Sequence, residues 1–507
     1  MKIPNTDVRR LLGGICLLLT LSTELQARPV QIIHTNDLHS HMDYAGSKPD
    51  RGGYAAVKVV IDKLRAQAAE RGIPTLVLDG GDFSEGTHFY LADEGLKSWE
   101  ALDQIGYDAV ALGNHDYQVG PKGLEHILSR LNPKAQILGA NFRADREYGN
   151  VNRVIKKSAE FVRDGIRIAV LGLTTNEFFY RWTAKPGGDV KDPIETAKKL
   201  VPALKKRNDF VIALTHIGTK ADTKLVENVP GVDVVVGGHD HAVLYKPLLV
   251  AREKGPIAVV VQAGEHGKYV GDMLLDLERG SPARVLRYRL IDVITGETGV
   301  DPNVQQFVAS ARQAIDDRYG RGWLDEVIGQ TDIPMDRPVK GTTPWSRLFV
   351  QTYREATGAD LAWDVGEFYG PSQTAGDITR EKLIRYFPRV FDIKNPNGWT
   401  IWTMKLQGKA ITEIIKQSAK QGFFFNLDGI TYKTKIDQKG KFELTDFKIG
   451  GKKVSPFKVY KIATSEGLGR GTAQGHWLAK AFAQPKDSGI PIWSAVESRL
   501  RSVGNLH

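Results

Sequence analysis

After Arg28 the chain alternates short apolar runs with longer stretches in which apolar residues return every three or four positions. "PVQIIHTND", "TLVLDGGD", "DAVALGNHD", "IRIAVLGLT", "FVIALTHIG", "VDVVVGGHDH" and "IAVVVQAGEHG" each read as a buried strand opening into a Gly-rich or polar loop. Between the early runs, "AAVKVVIDKLRAQAAERG" and "KGLEHILSRL" read as helices. Alternating strands and helices predict an α/β domain over residues 28–290. In such sheets ligands bind beyond the carboxyl ends of the strands, where loops converge. Six of the seven runs end there with His, Asp or Asn, and "IRIAVLGLT" is the exception.

Near Ile291 the pattern changes. "DPNVQQFVASARQAIDDRYG" has helical periodicity, with Asp301 as cap and Pro302 in the first turn. It predicts a linker helix within 291–330, followed by a smaller α+β domain over 331–507. The core candidates there are "WSRLFVQTYREATGADLAW" and "GWTIWTMKLQGKAITEIIKQSA". Length agrees, because single cores rarely grow beyond about 250 to 300 residues and the chain has 507.

A hydrophobic share of 41% and a charged share of 25% are those of a globular chain and exclude a disordered one. The net charge of +10 is spread along the chain and selects no partner, since a solvated surface accounts for it as well as an anionic ligand does. At the N-terminus, Arg9 and Arg10 precede "LLGGICLLLTL", and Ala27 offers a cleavage edge. Residues 1–27 therefore read as a signal peptide, with an uncleaved anchor as the alternative; the run is shorter than the roughly 20 apolar residues a membrane span needs. The expected location is a periplasm. Cys16, the only cysteine, lies in this segment, so the mature chain would carry neither disulfide nor thiolate ligand.

Ten of the twelve histidines precede the linker; only His476 and His507 follow it. Histidine-based metal chemistry thus belongs to the first domain. Asp37 and His39 stand in "NDLHSH", Asp82 ends "LDGGD", and Asn114 and His115 sit in "GNHD". His216 ends "ALTH", and His239 and His241 flank Asp240 in "GGHDH". Carboxylate, amide and imidazole donors together suit borderline or hard divalent metals. One such motif is commonly a simple turn; five of them in order, all at strand ends, point to one site.

The ordered set D-x-H, G-D, G-N-H-[DE], an isolated H and G-H-x-H resembles the calcineurin-like metallophosphoesterases. With the second domain and the export signal it resembles, more narrowly, the periplasmic 5'-nucleotidase family. The resemblance implies a four-layer αββα sandwich with a dinuclear centre at its strand ends. By motif, one divalent ion (Mn, Zn, Fe or Co) would take Asp37, His39 and His241. The second would take Asn114, His216 and His239, with Asp82 bridging the two. Phosphoester hydrolysis by hydroxide held between the cations is implied, with His115 stabilising the transition state or protonating the leaving oxygen. Asp116, beside it, is the second catalytic candidate. Where many family members close this motif with an aspartate that orients the histidine, Gln118 stands here, so the sequence leaves the partner of His115 open.

The family's N-G-G-x-R segment is missing from the second domain. In its place "DVGEFYGPSQTAGDITREKLIRYFP" offers Arg380, Arg385 and, just beyond, Arg389, with Arg385 as the expected substrate contact. "QGFFFNLDGITYKTK" matches the region of the first stacking aromatic; of Phe423, Phe424 and Phe425, the latter two are expected on the substrate. His476 or Trp477 would supply the second aromatic, and Glu265 and His266 are expected near the centre. The implied partner is a small phosphoester, a nucleotide by the resemblance, with no nucleic-acid polymer and no membrane span in the mature form. Two other readings stand beside it: a thiosulfohydrolase of the same architecture, and an exported metal-binding protein without turnover.

Overall fold

The computed structural model describes residues 29–45, 50–185, 187–253, 255–339, 341–390, 398–436, 442–474 and 477–506. The expected signal segment and His476 lie outside these residues. Among the described residues, no helix is long and apolar enough to cross a membrane.

Two six-stranded sheets form the first domain. One runs Arg284–Asp292, Tyr269–Asp276, Pro29–Thr35, Thr75–Asp79, Ala109–Ala111, Gln136–Leu138. The other runs Leu248–Val250, Ala258–Val261, Val234–Val236, Phe210–His216, Ile166–Thr174, Ser158–Arg163. In the first sheet the strands from Pro29–Thr35 to Gln136–Leu138 are parallel and the antiparallel pairing lies at the opposite edge; in the second, parallel inner strands have an antiparallel partner at each edge. The apolar runs are explained by burial on both faces. Val30, Ile32, Leu76, Leu78, Ile212, Leu214, Val234 and Val236 meet in the seam between the sheets. Their alternates Ile33 and Val77 face helices on one outer side, and Val211, Ala213 and Val235 face helices on the other. Each such side chain, fully buried, contributes about 1.5 to 3 kcal/mol. The four-layer αββα sandwich follows from this period of two.

Asp301 caps the helix Pro302–Tyr319 by accepting the N–H groups of Asn303 and Val304 at 3.0 and 2.9 Å. The helix packs on Tyr54–Ala69, Leu96–Ile105 and the short helix His88–Ala92 of the first domain. It buries Val304, Ala311 and Ile315 in a core that continues into the second domain through Trp345, Phe349 and Tyr386. The linker is thus a packed element shared by both domains. The second domain is built on a five-stranded sheet, Phe425–Asp428, Leu361–Val365, Val459–Ser465, Thr400–Gln407, Lys486–Pro491. Ala362, Ile401 and Ala463 join the shared core on one face. Leu361, Trp363, Met404 and Ile462 pack with Ile411 and Ile415 of the helix Gly408–Lys420 on the other.

Candidate functional site

Where the inner strands of the first domain end, the backbone turns abruptly. Asp37, His39, Asp82, His239 and His241 all have positive φ, at 52°, 46°, 55°, 95° and 55°. Side-chain-bearing residues in sparsely populated backbone regions cost of order 1 to 3 kcal/mol each, and such strain clusters at functional sites. Two of the motif glycines are needed for room. A Cβ on Gly113 would stand 2.1 Å from Asp82 Oδ1, and one on Gly238 would stand 2.7 Å from the Gly80 carbonyl and 2.9 Å from His216 Nδ1.

These turns bring two groups of side chains into one pocket. Donor atoms of Asp37, His39 and His241 lie within 4.8 Å of one another, and so do those of Asp82, His216 and His239. Asp37 Oδ1 is 3.2 Å from His241 Nε2 and 3.8 Å from His39 Nε2. Asp82 Oδ2 is 3.0 Å from His216 Nε2 and 3.7 Å from His39 Nε2, which sets this carboxylate between the groups.

Most of these side chains are held from behind. His39 Nδ1 donates to the Glu85 carbonyl at 2.9 Å, and His216 Nδ1 donates to the Gly80 carbonyl at 2.8 Å, so both Nε2 atoms turn into the pocket. Glu265 accepts from His241 Nδ1 at 2.5 Å and is itself paired with Lys268 at 2.6 Å. Asn36 and the backbone N–H of His239 grip the Asp37 carboxylate, and the N–H of His115 grips Asp82 Oδ1. Outer bonds of this kind fix tautomer and orientation in metal sites. One buried atom at the pocket, Asn114 Oδ1, has no hydrogen-bond partner among the described residues. Burial pushes the His216 and His241 imidazoles down, but Asp82 and Asp37 outweigh it and carry both up to about 10. The pocket attracts positive charge, and its all-N/O donor set fits a divalent cation.

His115 stands edge-to-face with His39, ring centroids 4.8 Å apart. Its Nδ1 bonds the carboxylate of Glu85, a residue sequence reasoning missed. Asp116 has a different place from the expected one. Its two oxygens accept the backbone N–H groups of Gly113, Asp82 and Ser84 at 2.7, 2.9 and 2.8 Å, so it stitches two loops together. The one strand run without a polar ending also contributes. Past Ile166–Thr174 the chain brings in Glu177, 3.5 Å from His239 Nε2, and Tyr180, whose ring lies 6.2 Å from that of His115.

The pocket is the floor of a cavity of about 900 Å³ between the domains, lined on the far side by Arg337, Glu367, Tyr369 and Arg389. Arg389 is braced by the carbonyls of Phe368 and Glu367 at 3.0 and 2.8 Å. It also lines an adjoining apolar pocket of about 230 Å³ with Tyr180, Phe368, Trp399 and Phe423. Three expectations are corrected here. Arg385 is 1% exposed, stacked 3.9 Å over Tyr44 and paired with Asp43 and Glu381, because a guanidinium buried at the domain junction requires carboxylates. Phe425 stacks on Trp363 in the core of the second domain, ring centroids 5.3 Å apart. Phe424 is exposed and, with Phe425, lines a separate depression; Phe423 is the member of the trio that reaches the pocket beside the cavity.

Carboxylates and imidazoles gathered at the strand ends of an αββα sandwich define a metallophosphoesterase, a hydrolase of phosphoester bonds. Residues 30–243 match the calcineurin-like phosphoesterase family and residues 327–480 the 5'-nucleotidase C-terminal domain. The chain is 32% identical over 406 residues to the 5'-nucleotidase of Vibrio vulnificus, covering 70% of this chain and 71% of the relative. It belongs to the 5'-nucleotidase family. It is also 26% identical over 527 residues to the trifunctional nucleotide phosphoesterase protein YfkN of Bacillus subtilis; that match covers 94% of this chain but 34% of the relative. The 5'-nucleotidase precursor of Thermus thermophilus shares the fold, with a TM-score of 0.77 at 22% identity over 94% of this chain and 97% of that one.

Proposed function

We propose that the protein is an exported hydrolase that releases phosphate from nucleotides, with two divalent ions held at the strand ends. Asp37, His39 and His241 would hold one, and Asn114, His216 and His239 the other, with Asp82 shared between them. The convergence of these two donor groups around one carboxylate carries the reading. Bound there, the ions would neutralise charge on the phosphoryl oxygens and lower the pKa of an attacking water.

The remaining work falls to the chain's own residues. His115, which faces the cavity beside His39, gives a proton to the departing oxygen. Arg337 and Arg389 meet the substrate from the opposite wall and offset its negative charge. Phe423, Phe368 and Trp399 receive the base, for which stacking contributes about 1 to 3 kcal/mol. Export rests on the basic-apolar-small pattern of residues 9–27.

Phosphate release by metal-stripped protein, before and after reloading with Mn, Co or Zn, tests this. Turnover restored by metal and faster on AMP than on sugar phosphates is expected. A reloaded protein inert towards AMP, cyclic nucleotides, sugar phosphates and bis(p-nitrophenyl) phosphate alike would overturn it.

A further inference from the structure

We propose that Glu85 is the positioning residue of His115, an inference that rests on the phosphoesterase reading above. Glu85 is 1% exposed and follows Asp82 by three residues on the same loop. One carboxylate oxygen bonds Nδ1 of His115. The other accepts the backbone N–H of Val390 at 3.2 Å, a contact made by the second domain. Both oxygens are therefore fixed, one by each side of the cleft.

No other group takes this place. Among the described residues, Glu85 is the only carboxylate within ion-pair distance of the His115 ring. Asp116 is occupied by three backbone N–H groups, and Gln118 lies in the wall of the apolar pocket. The same loop also sets the neighbouring ring, because the Glu85 carbonyl receives the Nδ1 proton of His39. Gly86, at φ 149°, lets the loop pass so close that a Cβ there would stand 2.6 Å from that of His39.

With Nδ1 engaged, the ring is locked in one orientation and one tautomer, and Nε2 is the atom left to face the cavity. As the phosphorus–oxygen bond to the leaving group breaks, the electron pair stays on that oxygen, which takes the proton from Nε2. His115 is left neutral and regains a proton from water. Glu85 keeps its charge throughout and balances the imidazolium before transfer.

The test compares Glu85→Gln and Glu85→Asp with wild type on AMP, whose leaving alkoxide needs a proton, and on p-nitrophenyl phosphate, whose leaving group does not. Glu85→Gln is expected to lower kcat on AMP by about 100-fold or more, on the scale of general-acid catalysis. Its rate on p-nitrophenyl phosphate should fall less than about tenfold, with KM and bound metal unchanged. Glu85→Asp, which keeps the charge, should show the same selectivity at a smaller ratio, and it carries the test should the Gln variant not fold. Equal losses on the two substrates, no loss on either, or loss of metal would overturn the assignment. Failure of wild type itself on every phosphoester would instead overturn the phosphoesterase reading.

Discussion

The two walls of the cleft are built on opposite plans. In the first domain, the inward-facing groups stand within a few residues of a strand end, five of them on positive-φ backbone, and most of them are gripped from behind by a carbonyl, a carboxylate or an N–H. In the second, Arg337, Glu367 and Phe423 come from three different stretches and Arg389 and Trp399 from the connection after Tyr386, placed by an edge-on contact of Trp399 with Phe368 and by carbonyls that brace Arg389. The difference follows from the ligands. A metal ion tolerates errors of about 0.2 Å in donor distance, whereas an organic group needs a concave apolar surface with a few polar anchors. Strict geometry leaves short fixed motifs in a sequence; surface area does not.

That contrast can be broken experimentally. The largest effect is expected from Asp82→Ala, which removes the carboxylate between the donor groups. Turnover should fall about 1,000-fold or more, roughly 4 kcal/mol, with bound metal reduced; retention of a tenth of the activity would contradict the shared role. Arg389→Ala should act on binding, raising KM for AMP by about 10- to 100-fold, the worth of a charge-assisted hydrogen bond, with metal content intact. A normal KM would remove Arg389 from the recognition wall. Phe423→Ala should raise KM for AMP about tenfold and spare p-nitrophenyl phosphate, while Phe424→Ala changes neither. The reverse order would move the base to the depression beside Phe424.

The smallest effect is on stability. Burial pushes the Asp364 carboxyl in the second domain up to about 7, against hydrogen bonds from Ser465, Val365 and Tyr353. The folded state holds a proton that the unfolded chain releases near its ordinary pKa of about 4. The stabilising contribution is therefore complete below that value and lost as pH rises through 7. Between about pH 5.5 and about pH 8.5, Asp364→Asn should lose less Tm than wild type, by about 2 to 4 °C, with turnover unaltered. Equal losses in thermal melts would show that this carboxyl does not titrate with folding.

The same contrast accounts for what was legible in the sequence. Runs such as "VDVVVGG" announce strands because burial on both faces leaves no polar alternate, and their polar ends announce the donor groups. Glu177 escaped because it stands three residues past the end of its strand, where no motif marks it. Glu85 escaped because its contact with His115 joins loops thirty residues apart. Arg385 follows Glu381 at the spacing of an exposed helical pair; only Asp43 and Tyr44, from the other domain, make it a buried one. In the Phe423–Phe425 run, alternation along the start of a strand turns Phe425 onto Trp363, a choice set by the core of the second domain.

If the two donor groups form a dinuclear centre, metal-stripped protein titrated with Mn and followed by calorimetry should bind two ions per chain. Their sites should be coupled through Asp82 and weakened together in Asp82→Ala. Saturation at a single ion, or two ions bound undiminished without Asp82, would contradict a dinuclear centre.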